Sequence, residues 1–180
     1  VDIVGESDYV VDTNALFKGD TLIYYPPGVY GDYVVPNKVN GVDITKIAND
    51  AFVMANLYKL VLQENISEIG NTNCAMLSLV EMSLATLEVL FGQSVELTES
   101  VSIQDILDTL DAKFADGVTY YINSYEEADE EKVDALVNGA NGRFIVELGA
   151  VSSYFDEQSR LLYTVDNDIA TVIGGDKTVT

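Results

Sequence analysis

The stretch IANDAFVMANLYKLVLQENISEIGNTNCAMLSLVEMSL, residues 47–84, contains one pattern twice. Ile47 recurs 22 residues later as Ile69, and Leu57 recurs at the same distance as Leu79. A unit of this length is too short to bury its own apolar face, so neighbouring copies have to stack and share one core. The spacing therefore predicts a repeat architecture.

Each copy contains a strand-like piece, LYKLVL at 57–62 and LVEMSL at 79–84. Alternation within such a piece directs every second side chain to the core. The segment YGDYVV at 30–35 has the same pattern 27 residues before 57–62, and the five extra residues fall in NGVDI at 40–44, which a glycine-containing loop can absorb. The inward side chains of this first copy are predicted to be Tyr30, Tyr33 and Val35.

A third copy is expected at Phe91 and Gly92, which follow Ile69 and Gly70 by 22 residues. The alternative interpretation is that the apolar residues lie on the faces of amphipathic helices. Three segments in register, two of them with Pro or Gly where a strand would end, favour the repeat.

The motif D-Y-V-V-P-x-x-V-N-G-x-x-I-x-x-I-x-x-x-A-F at residues 32–52, followed by L-x-x-L-x-L-x-x-x-I-x-x-I-G at 57–70, resembles the BspA-type (Treponema-type) leucine-rich repeats of bacterial cell-surface proteins. The resemblance covers residues 15 to 95. The chain departs from it at Cys74, where Phe is expected, and at Asn73, where Ala is expected. The matching positions are Tyr33, Pro36, Val39, Asn40, Gly41, Ile47, Ala51, Phe52, Leu57, Leu60, Leu62, Ile66, Ile69 and Gly70.

This resemblance implies an α/β fold, namely a short right-handed leucine-rich-repeat solenoid with a β N-terminal cap and an α+β C-terminal cap. It also implies an exported, cell-envelope protein that acts in adhesion or ligand binding, with no catalytic residues in the repeats. The strand TLIYY at 21–25 would cap the open end, and either Tyr24 or Tyr25 would face outward because side chains alternate along a strand.

Four elements are predicted after the repeats: a helix at 96–112, a strand at 118–123, a helix at 124–139 and a strand at 143–149. Ser100 or Ser102 could cap the first helix, and Ser124 with Glu127 could form a capping box for the second. Strand, helix and strand in this order indicate a β-α-β unit that closes the solenoid.

The tail at 159–180 is predicted to be a β-hairpin, with a junction at 150–158. It is similar to the lead-in strands that precede a new block of repeats. The predicted organisation is therefore an N-terminal cap with repeats at 1–95, an α/β capping region at 96–150 and a hairpin tail at 151–180.

The composition excludes several classes of function. The chain has 180 residues with 30 acidic and 9 basic side chains, a formal charge of −21, and such a surface repels nucleic acid and anionic membranes. It has no His and one Cys, so it lacks the parts of a Ser-His-Asp or Cys-His site, the usual zinc ligands and an internal disulfide. Because these catalytic parts are missing, we expect no enzyme activity. No apolar run reaches the length of a membrane span, and no signal peptide is visible.

The densest carboxylate clusters are YEEADEEK at 125–132 and the pair Asp166 and Asp168. Calcium is the ion they would suit, but the calcium-loop pattern is missing, and a helix start and a turn explain the two clusters. The glycines of GANG and VIGGDK lack phosphate-loop spacing. We therefore predict no metal and no cofactor.

Two functions remain open. The first is an extracellular or cell-surface interaction module that binds a protein or glycan through the outward residues of the repeat strands. The second is a structural spacer or accessory domain in a larger exported protein whose activity lies elsewhere. The outward residues are predicted to be Asp32, Val34, Lys59, Val61, Glu81 and Ser83.

Overall fold

The computed structural model describes residues 8–95 and 101–146 together with the backbone of three strands in the tail. The strands are β1 (Tyr9–Asp12), β2 (Ala15–Lys18), β3 (Thr21–Tyr24), β4 (Tyr30–Val34), β5 (Lys38–Val39), β6 (Val42–Asp43), β7 (Lys46–Ile47), β8 (Asn56–Val61), β9 (Glu68–Ile69), β10 (Leu79–Met82), β11 (Thr119–Ile122), β12 (Phe144–Val146), β13 (Ser152–Asp156), β14 (Leu161–Asp166) and β15 (Ile169–Gly175). The helices are α1 (Leu84–Phe91), α2 (Ile103–Lys113) and α3 (Glu130–Gly139), with a 3-10 turn at Glu127–Asp129.

These strands form two five-stranded sheets, one three-stranded sheet and a hairpin. The first large sheet is mixed and has the order β1-β2-β3-β7-β9. The second is entirely parallel and has the order β12-β11-β10-β8-β4. From β3 to β10 the chain alternates between the two large sheets, apart from the β5-β6 hairpin, and side chains from both sheets share one apolar core.

The predicted fold class, a right-handed leucine-rich-repeat solenoid, is wrong. The described residues form a mixed α/β structure with a mixed, a parallel and an antiparallel sheet, and α1 occupies the place of the third repeat. Ser83 caps α1 by accepting a hydrogen bond from the Thr86 N–H at 3.1 Å, and Gly92 ends it in the left-handed conformation with φ 87°. Leu, Ala and Glu are good helix formers, so these local signals outweigh a third turn of the repeat.

The register between strands agrees with the repeat in part. Ile47 lies opposite Ile69, the predicted shift of 22 residues. Leu60, however, lies opposite Val80 rather than Met82, because the chain uses two residues fewer between Ile69 and Val80 than between Ile47 and Leu60. The pairing of β8 with β10 is therefore displaced by two residues from the predicted alignment.

Aromatic rings fill the core near the N-terminal end. The ring centroids of Tyr25 and Tyr33 lie 4.6 Å apart, and those of Tyr33 and Phe52 lie 6.1 Å apart. Cys74 is buried, as predicted, and this burial raises the pKa of its thiol. Tyr30 was predicted to point inward, but it is 63% exposed.

The β-α-β unit β11-α3-β12 is present, since β11 and β12 pair in parallel. The start of α2 is fixed by a capping box between Ser102 and Asp105, whereas residues 96–100 of the predicted helix lie outside the described residues. The predicted cap at Ser124 is wrong. Its hydroxyl donates to Asn123 Oδ1 at 3.2 Å and its carbonyl accepts from the Leu84 N–H at 2.9 Å, so α3 begins only after the 3-10 turn.

The tail contains the predicted hairpin, because β14 and β15 pair in antiparallel fashion. The predicted junction at 150–158 is wrong in one respect: β13 lies within it and pairs with β14. The domain boundaries at residues 95 and 150 stay a prediction.

Candidate interaction surface

The predicted strip of outward residues lies on three adjacent strands of the parallel sheet. Asp32 is opposite Lys59, and Val34 is opposite Val61, which in turn is opposite Glu81. Partners in a parallel sheet direct their side chains to the same face, so the structure brings these five residues together. We call this set the outer strip.

Accessibility falls along the outer strip from the edge of the sheet inward. Asp32 and Val34, both on β4, are exposed, and Val34 keeps 49% of its surface. Lys59, Val61 and Glu81, on β8 and β10, are half-buried. The part of the strip that a partner can reach is therefore centred on β4.

The inner part of the strip is an ion pair. Lys59 Nζ lies 2.7 Å from Glu81 Oε2, and the two side chains are only 14% and 18% exposed. Glu81 Oε1 also accepts a hydrogen bond from Asn123 Nδ2 at 3.1 Å. If one member of so well covered a pair is removed, the charge of the other is left poorly solvated. Breaking the Lys59–Glu81 pair should therefore destabilise the sheet.

Asp32 extends the charge pattern to the edge strand. Glu81, Lys59 and Asp32 alternate in sign across three strands. Desolvation by the surrounding protein raises the pKa of the Asp32 carboxyl, Lys59 opposes the rise and Glu81 adds to it. The carboxylate is thus incompletely compensated, although solvent still reaches its side chain.

Ser83 does not belong to the accessible surface. It is buried, its hydroxyl caps α1, and its oxygen lies 3.0 Å from Thr86 Oγ1. The residue directly follows β10, and the helix that begins there takes its side chain out of the strip. The prediction that Ser83 is exposed is therefore wrong.

Sequence reasoning missed Tyr30 as a surface residue. Strict alternation from the buried Tyr33 places Gly31 inward and Tyr30 outward, in agreement with the exposure along β4. Leu57, its predicted counterpart, is buried because β8 has an extra residue opposite Gly31 and Asp32. The alternation of YGDYV alone was the signal that could have identified Tyr30.

Tyr24, the last residue of β3, and Tyr25, which follows it, face opposite sides as alternation predicts. Tyr24 is exposed, whereas Tyr25 is buried in the core, and this burial raises the pKa of its phenol. Tyr24 ends β3, which belongs to the mixed sheet rather than to the sheet of the outer strip.

The acidic cluster at 125–132 borders an open groove of about 190 Å³ beside the start of α1. One carboxylate of the cluster is paired within it, since Lys132 Nζ lies 2.8 Å from Asp129, and the same ammonium lies 3.7 Å from Glu88 on α1. Among the residues that the structure describes, no group of three or more metal-binding side chains is assembled. The side chains of Asp166 and Asp168 lie outside the described residues.

None of the described helices combines the length and the apolar character needed to cross a bilayer. Comparison of the chain with protein-family models, with curated proteins and with solved structures gave no match.

Proposed function

We propose that this chain is a non-catalytic interaction module that binds a partner protein through the outer strip. One observation carries the proposal: Asp32 and Val34 are exposed on the face of an entirely parallel sheet. Both faces of such sheets are ordinarily covered, so the open part of this face favours completion by a partner.

The composition of the strip favours a protein over a glycan. Val34 and Val61 lie opposite each other and give an apolar centre, and Asp32, Lys59 and Glu81 surround it with charges of both signs. A small apolar centre within a polar border is typical of protein interfaces.

The remaining chemistry supports a function other than catalysis. The sequence has no His, and its one thiol, Cys74, is buried with a raised pKa that disfavours the reactive thiolate. The net charge of −21 disfavours nucleic acid and anionic membranes as partners. A setting at the bacterial cell surface or outside the cell rests on the resemblance of residues 32–70 to BspA-type repeats.

The second candidate is a structural spacer or accessory domain within a larger exported protein. The close Lys59–Glu81 pair favours it, because these two side chains satisfy each other without a partner. The neighbouring coding sequence discriminates between the two functions. An export signal, a surface anchor and further repeats would support the interaction module, whereas an adjoining catalytic domain would support the accessory domain.

A direct test exchanges the ion pair while keeping it intact. In the variant Lys59→Glu with Glu81→Lys, the pair remains but its polarity on the surface is reversed. The control is Lys38→Asp with Asp43→Lys in the β5-β6 hairpin, where an exposed pair lies 3.0 Å apart. Both variants and the original chain are screened against purified matrix proteins and a glycan array, and their folding is verified by circular dichroism.

We expect the original chain and the hairpin control to bind the same protein, and the Lys59/Glu81 exchange to lose that binding while remaining folded. Equal binding by all three would overturn the assignment of the surface. Binding only to glycans would overturn the protein partner. No binding to any component of the screen would favour the spacer.

A further inference from the structure

We propose that the open edge of β4 accepts an extended, basic segment of the partner protein as an additional strand. This inference rests on the proposed function, because it names the kind of partner and how it docks. β4 is the terminal strand of the parallel sheet, and within the described residues no strand pairs with it on the side away from β8.

The backbone of β4 is oriented for such pairing. The Val35 N–H donates to the Val61 carbonyl at 3.0 Å, so the peptide groups of Val35 and, by alternation, Tyr33 face β8. The N–H and C=O groups of Asp32 and Val34 consequently point to the open edge. A row of outward backbone groups is what an added strand binds.

The side chains of β4 offer contacts in the same register. Tyr30, Asp32 and Val34 occupy alternate positions and are all exposed. An added strand would pack its apolar side chains against Tyr30 and Val34 and would place one side chain beside Asp32. Pro36 follows directly after the strand region and limits the length of pairing.

The alternating charges of the outer strip indicate which charge the added strand should place beside Asp32. Glu81, Lys59 and Asp32 alternate in sign across adjacent strands, and the Lys59 ammonium lies close to Glu81. The next strand therefore continues the alternation if it places a cation beside Asp32. Opposite charges on neighbouring strands stabilise a sheet, and like charges destabilise it.

The overall charge decides between a foreign segment and a second copy of this chain. Two copies would each bring a net charge of −21 and an aspartate at the centre of the edge. A segment with Lys or Arg between two apolar residues at alternate positions, all on one face of the strand, is attracted both to the molecule and to Asp32. The occupant that these observations favour is thus a basic segment of another protein.

The probes are a short peptide in which Val, Lys and Val occupy alternate positions with Thr between them, so that all three face the same side of the strand, and a twin in which Glu replaces Lys. Binding to the complete chain is measured by calorimetry at low and moderate salt, and the backbone amide shifts of Asp32 and Val34 are followed by NMR. The variants are Val34→Lys, Asp32→Asn and the control Val11→Lys. Val11 is 74% exposed on β1, the edge strand of the other large sheet, so the control adds the same charge on a different edge.

We expect the Lys peptide to bind the original chain and the Val11 control equally and to shift the amide signals of β4. Val34→Lys should weaken binding by about ten-fold or more, because a lysine on an edge strand opposes pairing. Asp32→Asn should weaken it by about two- to five-fold, the value of one exposed ion pair. The Glu peptide should not bind.

Equal weakening by Val34→Lys and Val11→Lys would show attraction to charge alone and would overturn the proposal, as would amide shifts confined to other strands. Self-association that Val34→Lys abolishes would also overturn it, since the occupant would then be a second copy. If the Lys59/Glu81 exchange abolishes binding of the partner and Val34→Lys does not, the interaction function stands and the added strand is wrong.

Discussion

Removal of the Asp111 carboxylate should cost more stability than removal of a carboxylate from an exposed ion pair. Asp111 lies on α2, and its Oδ1 accepts from Tyr120 Oη at 2.9 Å and from Arg143 Nη2 at 2.5 Å. Arg143 also donates through Nε to the Val118 carbonyl at 2.6 Å, and its guanidinium lies over the Tyr120 ring. One carboxylate thus ties α2 to β11 and to the residue that precedes β12.

The magnitude follows from the burial of these partners. The side chains of Asp111 and Arg143 are 16% and 24% exposed, and Tyr120 is fully buried. Asp111→Ala leaves a mostly covered guanidinium and a buried hydroxyl without their acceptor, which we expect to cost about 3 kcal/mol, the low end for a buried pair because some solvent remains. Tyr120→Phe removes one hydrogen bond and leaves the ion pair, so it should cost about 1 kcal/mol.

The assay is urea unfolding followed by circular dichroism, with the slope of the free energy against urea checked for each variant. The control is Asp43→Ala, which removes a carboxylate from an exposed pair and should change the free energy of unfolding by less than about 1 kcal/mol. A cost for Asp111→Ala no greater than that of the control, or smaller than that of Tyr120→Phe, would refute the reasoning.

Three further outcomes test the core and its titration. Leu57→Ala should cost about 2–5 kcal/mol in urea unfolding because Leu57 is fully buried, whereas Val34→Ala should be near neutral. Burial raises the pKa of Tyr25 and raises that of Tyr33 to about 12, so the folded state holds these protons more tightly. The contribution of these tyrosines to stability should be constant below about pH 10 and should fall as pH rises toward 12, less steeply in Tyr33→Phe, as followed by urea midpoints. Cys74 should react with a bulky thiol reagent only after unfolding, and rapid labelling of the native chain would contradict its position in the core.

Local signals predicted the C-terminal half of the described structure better than the repeat predicted the N-terminal half. The strands predicted at 118–123 and 143–149 are present as β11 and β12, and the predicted capping residue Ser102 marks the start of α2. The same kind of signal at 83–91, a capping serine followed by helix formers, was outweighed by the expectation of a third repeat. A repeat seen twice does not determine the structure of the next segment, because local helix propensity acts wherever stacking no longer does.

The register of the strands could not be derived from spacing alone. The motif L-x-x-L-x-L assigns three positions to one side, but strict alternation places only the last two there. Leu57 is buried because β8 contains an extra residue that shifts its register. Tyr30 is exposed because β4 contains no such extra residue. Such irregularities depend on how two paired backbones fit, and that information is not contained in either segment by itself.

The candidate site was predicted from the residues that lie between the inward positions of the repeat strands. The structure keeps five of these residues on one face but changes how much of that face a partner can reach. Lys59 and Glu81 lie 22 residues apart, the length of the predicted repeat, but in the observed register Lys59 is opposite Leu79 and Glu81 is opposite Val61, so their ion pair is diagonal. Because Lys59 and Glu81 pair with each other, the part of the outer strip that a partner can reach contracts to Asp32 and Val34.

The position of that accessible part also gives the acidic composition a structural role. An open edge strand exposes any chain to pairing with its own copies, and proteins commonly prevent this with a lysine or a proline in the strand. β4 contains neither, since Pro36 lies beyond its end, but it carries Asp32 at its centre on a molecule of charge −21. Repulsion between copies protects the edge without blocking it, and the same charge attracts a basic segment. If the proposed added strand is right, the acidic composition therefore distinguishes, at this edge, between the chain's own copies and a basic partner.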